Sequence, residues 1–319
     1  MKLFKKISIY FFTTVGLILI FLLCVIFLLT KGPSITARNL FVNSAMESSA
    51  GKFLARIFLS KEQVEEIMNS NTIEDVTDVA DSNLIKIDNV DKDKIEIIEL
   101  KGSTYRGKMA IVHDPSRVQI GVSGPYGSSY SGKTVEEMAK SYNAILATNG
   151  GGFEDAGGVG NGGTPIGIVI QDNKIVWGSE SSSYEVIGFD NNDKLVVGRM
   201  TGKEALDRGV RDALSFGPIL VVNGKPAKVT GTGGGLNPRT AIGQREDGAI
   251  LLVVLEGRQA NSLGASFADL ISIFLEYGAV NAANLDGGSS SLLYYKGEYI
   301  NNCASLYGPR NMPTSVIVR

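Results

Sequence analysis

The sequence contains very few of the side chains that build metal and disulfide sites. Among 319 residues there are one histidine and two cysteines. A single histidine excludes a histidine-rich metal site, and two cysteines exclude a disulfide-stapled scaffold and a cysteine-rich metal site. Oxygen-ligated Ca²⁺ stays open, because it needs only carboxylates, amides and carbonyls. We therefore expect no cofactor, with Ca²⁺ as the one metal left open.

An excess of positive charge is also missing. The 31 Lys and Arg residues are balanced by 33 Asp and Glu residues, which gives a net charge of −2. Proteins that bind nucleic acid through bulk electrostatics need a surplus of cations to displace counterions, so we expect no nucleic-acid partner. The hydrophobic content of 44% with 20% charged residues excludes a wholly disordered chain.

Glycine is scarce at the start of the chain, where only three of the 38 glycines precede residue 100. Residues 7–30 carry no charge and are long enough to cross the ~30 Å hydrocarbon core of a bilayer as a helix. Lys2, Lys5 and Lys6 precede this run, which favours a cytoplasmic amino terminus. A cleavable signal peptide is the alternative, but its apolar core is shorter and ends at a small-x-small site. We expect an uncleaved single-pass anchor in the cell membrane, with residues 1–6 as a cytoplasmic tail.

Residues 31–93 are polar, acidic and poor in glycine. Ser60 and Gln63 have the spacing of a capping box, which predicts a short helix over 61–68. We interpret this stretch as an extracellular stalk without chemistry of its own. The glycine-rich body, residues 94–319, would then be an extracellular domain.

Within the body, short apolar runs are separated by turn dipeptides. Asp172-Asn173, Asn223-Gly224 and Asp247-Gly248 are typical of β-hairpin turns. Helices are expected at three places: after Thr134, over residues 203–214, and after Ser266. The pattern predicts an α+β fold with mixed, largely antiparallel sheets and about three flanking helices, preceded by a single transmembrane helix and a stalk.

One stretch matches the phosphate-binding loop of nucleotide-binding proteins. Residues Gly127 to Thr134 fit G-x-x-x-x-G-K-T, in which Lys133 would contact the terminal phosphates and Thr134 would bind Mg²⁺. The hairpins that follow do not fit the parallel βαβ alternation of that fold. A P-loop nucleotidase is therefore kept as an alternative function, and the competing interpretation is that Thr134 caps a helix.

Four polar clusters punctuated by glycine or proline lie at the ends of expected strands. A strand that ends in Asn or Asp followed by glycines presents a polar side chain at a sheet edge, where a ligand can approach the backbone closely. The clusters are residues 147–155 (ATNGGGFED) followed by 162–167 (GGTPIG), residues 237–243 (NPRTAIG), residues 284–291 (NLDGGSSS) and residues 308–314 (GPRNMPT).

In these clusters and their order, residues 95–319 resemble the phosphodiester glycosidase family, whose bacterial members are often labelled as related to exopolysaccharides. The resemblance implies cleavage of the bond between the anomeric carbon of a sugar and a phosphodiester oxygen. In the family, the segment Leu255-Glu256-Gly257-Arg258 more often has Asp in place of Glu256. The anchor and stalk lie outside the resemblance.

The implied reaction needs a carboxylate near the anomeric carbon and cations around the phosphate. We expect Asp286 to be the nucleophile or the base that activates water, with Asp155 and Glu256 as candidates for a second acid/base role. Arg239 and Arg310 are expected to hold the phosphate, and Asn149 a sugar substituent. The other expected substrate-binding residues are Gly150, Gly151, Thr240, Gly287, Gly288 and Ser289.

The sequence therefore predicts a membrane-anchored extracellular hydrolase that acts on a sugar-1-phosphodiester in a cell-surface glycopolymer. Its expected partners are a phosphate-containing glycan and the membrane. Four candidates also have a structural interpretation: Asp286 as a turn residue, Arg239 or Arg310 as partners of buried acids, and Glu256 as the cap of a loop. A non-catalytic module that binds glycan or teichoic acid with the same cleft is the other alternative function.

Overall fold

A computed structural model describes residues 2–48, 51–87, 91, 93–155, 160–305 and 307–319. Within these ranges the chain forms seven α-helices and seventeen strands. The helices are α1 (Lys2–Lys31), α2 (Ile35–Met46), α3 (Lys52–Ala55), α4 (Lys61–Asn69), α5 (Val135–Ser141), α6 (Gly202–Asp207) and α7 (Phe267–Glu276).

The strands form three sheets, and every strand pairing in the described ranges is antiparallel. The strands are β1 (Ile95–Lys101), β2 (Arg106–Val112), β3 (Val118–Val122), β4 (Leu146–Asn149), β5 (Val169–Gln171), β6 (Lys174–Trp177), β7 (Ser183–Asp190), β8 (Leu195–Thr201), β9 (Val210–Ser215), β10 (Ile219–Val222), β11 (Lys225–Pro226), β12 (Arg239–Arg245), β13 (Ile250–Leu255), β14 (Ala279–Leu285), β15 (Leu293–Tyr295), β16 (Glu298–Tyr299) and β17 (Thr314–Val318). The first sheet has the order β1-β2-β13-β12-β14-β10-β11, the second β16-β15-β4-β17-β3, and the third β6-β5-β9-β7-β8.

One face of each sheet packs into a shared core, to which Ile242, Phe189 and Val316 contribute from the three sheets. The opposite faces pack against α7, α5 and α6, one helix for each sheet. Central strands are therefore buried on both faces, which explains why β13 is a continuous apolar run instead of an alternating one. The α+β class with largely antiparallel sheets is confirmed.

Local signals in the sequence account for several elements. Asp172 and Asn173 both have positive φ in the β5–β6 turn, as do Asn223 and Gly224 in the β10–β11 turn. Positive φ at both central residues gives the turn whose twist matches two antiparallel strands. Thr134 forms a capping box with Glu137 at the start of α5, where a helix was expected.

The expected helix over residues 203–214 is wrong beyond its first part. Helix α6 ends at Asp207, Gly209 adopts a φ of +73°, and the chain continues as β9. The physical reason lies in pairing: β9 is a central strand that hydrogen-bonds to both β5 and β7. Long-range pairing therefore overrides the helical propensity of Ala213 and Leu214.

The stretch interpreted as a stalk contains three helices, including the one expected after Ser60. Helices α2, α3 and α4 form a small cluster around a core of their own that includes Val42, Ala55 and Val64. We call residues 35–69 of the described chain the collar. The collar packs on the body, where Ser44 Oγ accepts a hydrogen bond of 2.8 Å from the amide of Leu236. Residues 49, 50, 88–90 and 92 of the expected stalk lie outside the described residues.

Candidate active site

Three chain segments meet at one edge of the first sheet. Strand β12 lies between β13 and β14, and its register pairs Arg239 with Leu255 and Thr240 with Leu285. Because β12 is antiparallel to both neighbours, the loops that follow β13 and β14 lie beside the segment that precedes β12. The sheet order therefore brings together residues that are far apart in the sequence.

The end of β4 joins this edge from the second sheet. The amide of Asp286 donates a hydrogen bond of 3.0 Å to the carbonyl of Gly150. A cleft of about 700 Å³ opens between the segments, a size suited to a small ligand. Six charged side chains of the described residues line it: Glu47, Asp155, Arg239, Arg258, Asp286 and Arg310.

The cleft changes the protonation of the Asp286 carboxyl. Burial raises the pKa of this carboxyl to about 6, and the Asp155 charge adds to the increase. Hydrogen bonds from the Ser290 hydroxyl and the Gly287 amide, together with the charge of Arg310, oppose the increase. A carboxyl with a pKa near neutrality can exchange protons at physiological pH, which is typical of acid/base and nucleophilic groups.

Arg310 and Asp155 form a bidentate ion pair in the cleft. The two guanidinium nitrogens lie 2.9 and 2.8 Å from the two carboxylate oxygens. The guanidinium also stacks on Phe153, with 4.8 Å between Cζ and the ring centroid. The two expected site residues are therefore brought together, and each binds the other.

Arg239 lies in the wall of the same cleft and is only 6% exposed. Its guanidinium donates to the carbonyls of Ala265 and Gly235, at 3.0 and 2.8 Å, and lies 2.6 Å from the Glu47 carboxylate. Its remaining face packs on the ring of Phe267. These contacts are those expected of a structural arginine that holds the loop before β12.

Arg258 lines the cleft and was not among the expected site residues. Its guanidinium donates to Asn237 Oδ1 at 3.0 Å, and no described carboxylate lies within ion-pair distance of it. Burial and the neighbouring Arg239 lower its pKa, and the charge of Glu47, which is ion-paired with Arg239, opposes the decrease. The residue is open to solvent at the cleft. Its backbone has a φ of +58°, a conformation that costs a non-glycine residue roughly 1 kcal/mol. A cation held under strain in a cleft, with no described carboxylate bound to it, is suited to binding an anion.

The glycine loop after β14 lies against this cation. A Cβ atom built on Gly288 would approach the guanidinium nitrogens of Arg258 to 3.4 Å, so the absence of a side chain leaves the approach open. Gly287, Gly288 and Ser289 all line the cleft. The sequence contained one signal for Arg258: it stands three residues after the apolar run that becomes β13, next to the expected candidate Glu256.

Several expected site residues do not line the cleft. Glu256 accepts a hydrogen bond of 2.8 Å from the amide of Asn302 and lies in a separate hollow. Asn149 and Thr240 are fully buried, and the Thr240 hydroxyl donates to Asn149 Oδ1 at 2.9 Å. The Asn149 amide in turn donates to the carbonyl of Asp286. Asn149 therefore positions the loop that carries Asp286 from the interior of the protein.

The amides of Gly150 and Gly151 are also occupied. Gly150 donates to the carbonyl of Thr314 at 3.1 Å, and Gly151 donates to the Thr314 hydroxyl at 2.9 Å. Of the three consecutive glycines, only Gly152 lines the cleft. The first two glycines thus join the end of β4 to β17, and Gly152 contributes to the cleft.

The stretch that matches a phosphate-binding loop uses its amides within the protein. Gly127, Gly132 and Lys133 donate to the carbonyls of Gly163, Asn161 and Met312. At the start of α5, the amide and hydroxyl of Thr134 both donate to the carboxylate of Glu137. A carboxylate thus already occupies the helix end where a phosphate would bind. Within the described ranges, no group of three His, Cys, Asp or Glu side chains is arranged to hold a metal ion.

Sequence comparison matches residues 142–319 to the model of the phosphodiester glycosidase family. The SPbeta prophage-derived uncharacterized protein YomE of Bacillus subtilis is 35% identical over 190 residues, which cover 55% of this chain and 28% of that protein. Human N-acetylglucosamine-1-phosphodiester alpha-N-acetylglucosaminidase is 28% identical over 182 residues, which cover 51% of this chain and 34% of the human protein. The matched regions span roughly a third of the length of these relatives.

Among solved structures, the fold is similar to the zebrafish N-acetylglucosamine-1-phosphodiester alpha-N-acetylglucosaminidase catalytic domain, described as auto-inhibited by its pro-peptide. The TM-score is 0.58 at 22% identity, covering 71% of this chain and 82% of that one. A putative exported protein of Burkholderia pseudomallei gives a TM-score of 0.50 at 16% identity, covering 67% of this chain and 74% of the other. At these identities the likeness concerns the fold.

Proposed function

The chain belongs to the phosphodiester glycosidase family, and from this we propose that it hydrolyses the bond between the anomeric carbon of a sugar and a phosphodiester oxygen. The observation that carries the proposal is the pairing, in one cleft, of a carboxyl with a pKa near neutrality and an arginine to which no described carboxylate is bound. Asp286 would act on the anomeric carbon, and Arg258 would bind the phosphate.

The charges of the cleft fit the charges of this reaction. The oxygen of water forms a bond to the anomeric carbon while one of its protons passes to the Asp286 carboxylate and then to solvent. The bond from that carbon to the phosphate oxygen breaks with its electron pair left on phosphate. Positive charge therefore develops on the sugar and negative charge on the leaving group. A carboxylate at Asp286 stabilises the first, and Arg258 with the open Gly287–Ser289 loop stabilises the second. The products are a reducing sugar and a phosphomonoester.

We further propose that the protein is anchored in the cell membrane and acts on a cell-surface glycopolymer. Helix α1 is long and apolar enough to cross a membrane over Phe4–Lys31. The lysines before the apolar run favour a cytoplasmic amino terminus and an external body. Resistance to alkaline extraction, together with digestion of the body by protease added to whole cells, tests the anchor and its orientation.

The activity is tested with the detergent-solubilised full chain and a soluble N-acetylglucosamine-1-phosphodiester. Release of free sugar supports the hydrolase. The alternative function, a non-catalytic glycan-binding module, is favoured by binding of the same compound without turnover, and an absence of turnover on any sugar-1-phosphodiester contradicts the proposal.

The pH dependence follows from the protonation of Asp286. A nucleophile or base must be ionised, so kcat/KM should rise about tenfold per pH unit below pH 6 and level off above it. Removing the Ser290 hydroxyl, which stabilises the carboxylate, should move this limb to higher pH in Ser290→Ala. Initial rates of the wild type and of Ser290→Ala measure the limb and its shift. They are recorded from about 2 pH units below to about 2 pH units above the pKa of Asp286. A rate that falls as pH rises through 6 would instead assign Asp286 the role of general acid.

Glu47 of the collar places a negative charge where an anionic substrate would approach. Its carboxylate accepts hydrogen bonds from the Gly235 amide at 2.7 Å and from the Asn237 side chain at 2.9 Å, in addition to its ion pair with Arg239. We propose that Glu47 limits substrate binding.

In Glu47→Gln, the acceptor oxygen is retained and the charge is lost. We expect KM for the phosphodiester to fall about threefold to tenfold, because the net charge of the cleft becomes more positive. Steady-state kinetics measure the change. Glu66→Gln, an exposed collar residue on α4, is the control and should leave KM unchanged. An unchanged KM in Glu47→Gln with a lower melting temperature would make Glu47 a purely structural partner of Arg239.

A further inference from the structure

A short segment of the collar exposes apolar and basic side chains together. In residues 52–58, Phe53 is 64% exposed and Ile57 is 37% exposed, and the basic residues Lys52 and Arg56 are exposed beside them. The same segment buries Ala55 in the collar core. The segment therefore contributes Ala55 to the collar core and exposes two large apolar side chains, each next to a basic residue in the sequence. We call residues 52–58 the apolar-basic segment.

Contacts with the end of α1 fix the position of this segment along the axis of that helix. Phe58 packs edge-to-face on Phe27 of α1, with ring centroids 5.4 Å apart. Lys31 Nζ, at the end of α1, lies 3.4 Å from Gln63 Oε1. Phe27 is four residues before Lys31, or about 6 Å along the helix axis. The apolar-basic segment thus lies beside the last turn of the helix that is suited to cross a membrane.

We propose that the apolar-basic segment docks into the surface of an anionic lipid bilayer. Phe53 and Ile57 would enter the boundary between headgroups and acyl chains, and Lys52 and Arg56 would bind lipid phosphates. The described acidic residues of α4, Glu62, Glu65 and Glu66, lie outside the segment. This proposal rests on the membrane anchoring given above, because α1 delivers the segment to the bilayer.

Docking of the collar would hold the active-site cleft close to the membrane. Helix α2 has 12 residues, and its C-cap residue Glu47 lines the cleft. At ~1.5 Å per helical residue and ~3.5 Å for each of residues 32–34, the chain from Lys31 to Glu47 spans less than about 30 Å. The substrate class that fits this position is a sugar-1-phosphodiester carried at the membrane surface, on a lipid or on a membrane-attached polymer.

The docking is tested by lipid quenching in the full chain. The protein contains one tryptophan, Trp177, so the double variant Phe53→Trp/Trp177→Phe carries a single tryptophan, which lies in the segment and is excited selectively over tyrosine. Both this variant and the wild type are reconstituted into vesicles of phosphatidylcholine and phosphatidylglycerol whose acyl chains are brominated near the headgroup. We expect at least about twofold quenching of the emission of the double variant and none of the wild-type Trp177 emission, since bromine quenches only at contact and the segment lies at interfacial depth. An unquenched double variant, or equal quenching of both proteins, overturns the proposal.

The charges are tested through turnover. In Lys52→Glu/Arg56→Glu, we expect the rate on a lipid-linked sugar-1-phosphodiester in the same vesicles to fall by at least about tenfold, because the attraction of both side chains to the anionic surface is replaced by repulsion. The rate on a soluble sugar-1-phosphodiester should not change. The control Lys203→Glu/Arg208→Glu makes the same charge change at α6 of the body and should affect neither rate. Equal loss in both double variants contradicts docking by the segment.

The failures of the two proposals are distinguishable. If the wild type turns over neither substrate while the segment reporter is quenched, the hydrolase proposal fails and the docking stands. If the soluble substrate is cleaved and the segment reporter is not quenched, the docking fails and the hydrolase stands.

Discussion

Asp286→Asn should reduce kcat on a sugar-1-phosphodiester by about 10³-fold or more, since an amide neither attacks the anomeric carbon nor takes a proton from water. The substitution preserves shape and leaves the hydrogen bond from the Asn149 side chain, which goes to the backbone carbonyl of residue 286. Sugar release over long incubations measures the loss.

The same variant should be more stable than the wild type at high pH. The pKa of the Asp286 carboxyl in the folded protein is about 6, above its ordinary value of 3.8. The folded state therefore holds the proton more tightly, and this stabilisation is present at low pH and is lost as pH rises through 6. Asn is uncharged throughout. Thermal unfolding of the solubilised full chain should show a higher melting temperature for the variant at a pH about 2 units above the pKa of the folded state. Little difference is expected at about pH 4, which is close to the pKa of the unfolded state.

Glu256→Gln provides the contrast for Asp286→Asn. The Glu256 carboxylate binds the amide of Asn302 outside the cleft, so its neutralisation should leave most of the activity. If Glu256→Gln is as inactive as Asp286→Asn, the acid/base role expected for Glu256 from the sequence is correct and our account of the site is not.

Arg258→Met should lower kcat/KM by about 10²-fold, the size of effect seen when one donor to a developing negative charge is removed. The methionine retains the apolar stem and removes the guanidinium that lies 3.0 Å from Asn237 Oδ1. Because the phosphate gains charge in the transition state, kcat should fall as well as binding. Kinetics with added guanidinium should recover part of the activity, and Arg258→Lys should recover less than wild type because it lacks the planar fork.

Arg239→Met is the matched variant for Arg258→Met. The Arg239 guanidinium is buried and makes hydrogen bonds to Ala265, Gly235 and Glu47, so its removal should first lower the melting temperature. The roles would be reversed if Arg239→Met lost activity without loss of stability and Arg258→Met retained activity. Arg239 would then bind the phosphate, and Arg258 would be structural.

The features that the sequence predicts correctly are mostly local. The Asn223-Gly224 turn, the Ser60–Gln63 capping box and the helices after Thr134 and Ser266 are each specified within a few residues, and each is present. The α+β class follows from the number of such hairpins. The sequence predicts a helix where the shorter α6 and strand β9 lie. The prediction fails because the pairing of β9 with β5 and β7 is a long-range contact that no local stretch of sequence contains.

The site was predictable in part for the same reason. Asp286 was expected because a carboxylate followed by two glycines at a strand end is a local pattern. Arg258 was missed because its place in the cleft depends on the order β13-β12-β14, which sets the loops after β13 and β14 side by side. The position of Glu47 in the cleft could not be predicted either, because it depends on the packing of the collar against the body. Asn149 was expected to bind substrate, and its burial beneath Asp286 follows from the pairing of β4 with β17.

Hydrolysis in ¹⁸O-labelled water tests the central claim most directly, namely that Asp286 directs water to the sugar and Arg258 receives the phosphate. Mass spectrometry of the products from a single turnover shows which bond is broken. We expect the label in the anomeric hydroxyl of the released sugar, because the bond from carbon to oxygen breaks. Label in the phosphomonoester would mean that water attacks phosphorus, and Asp286 would then not act at the anomeric carbon.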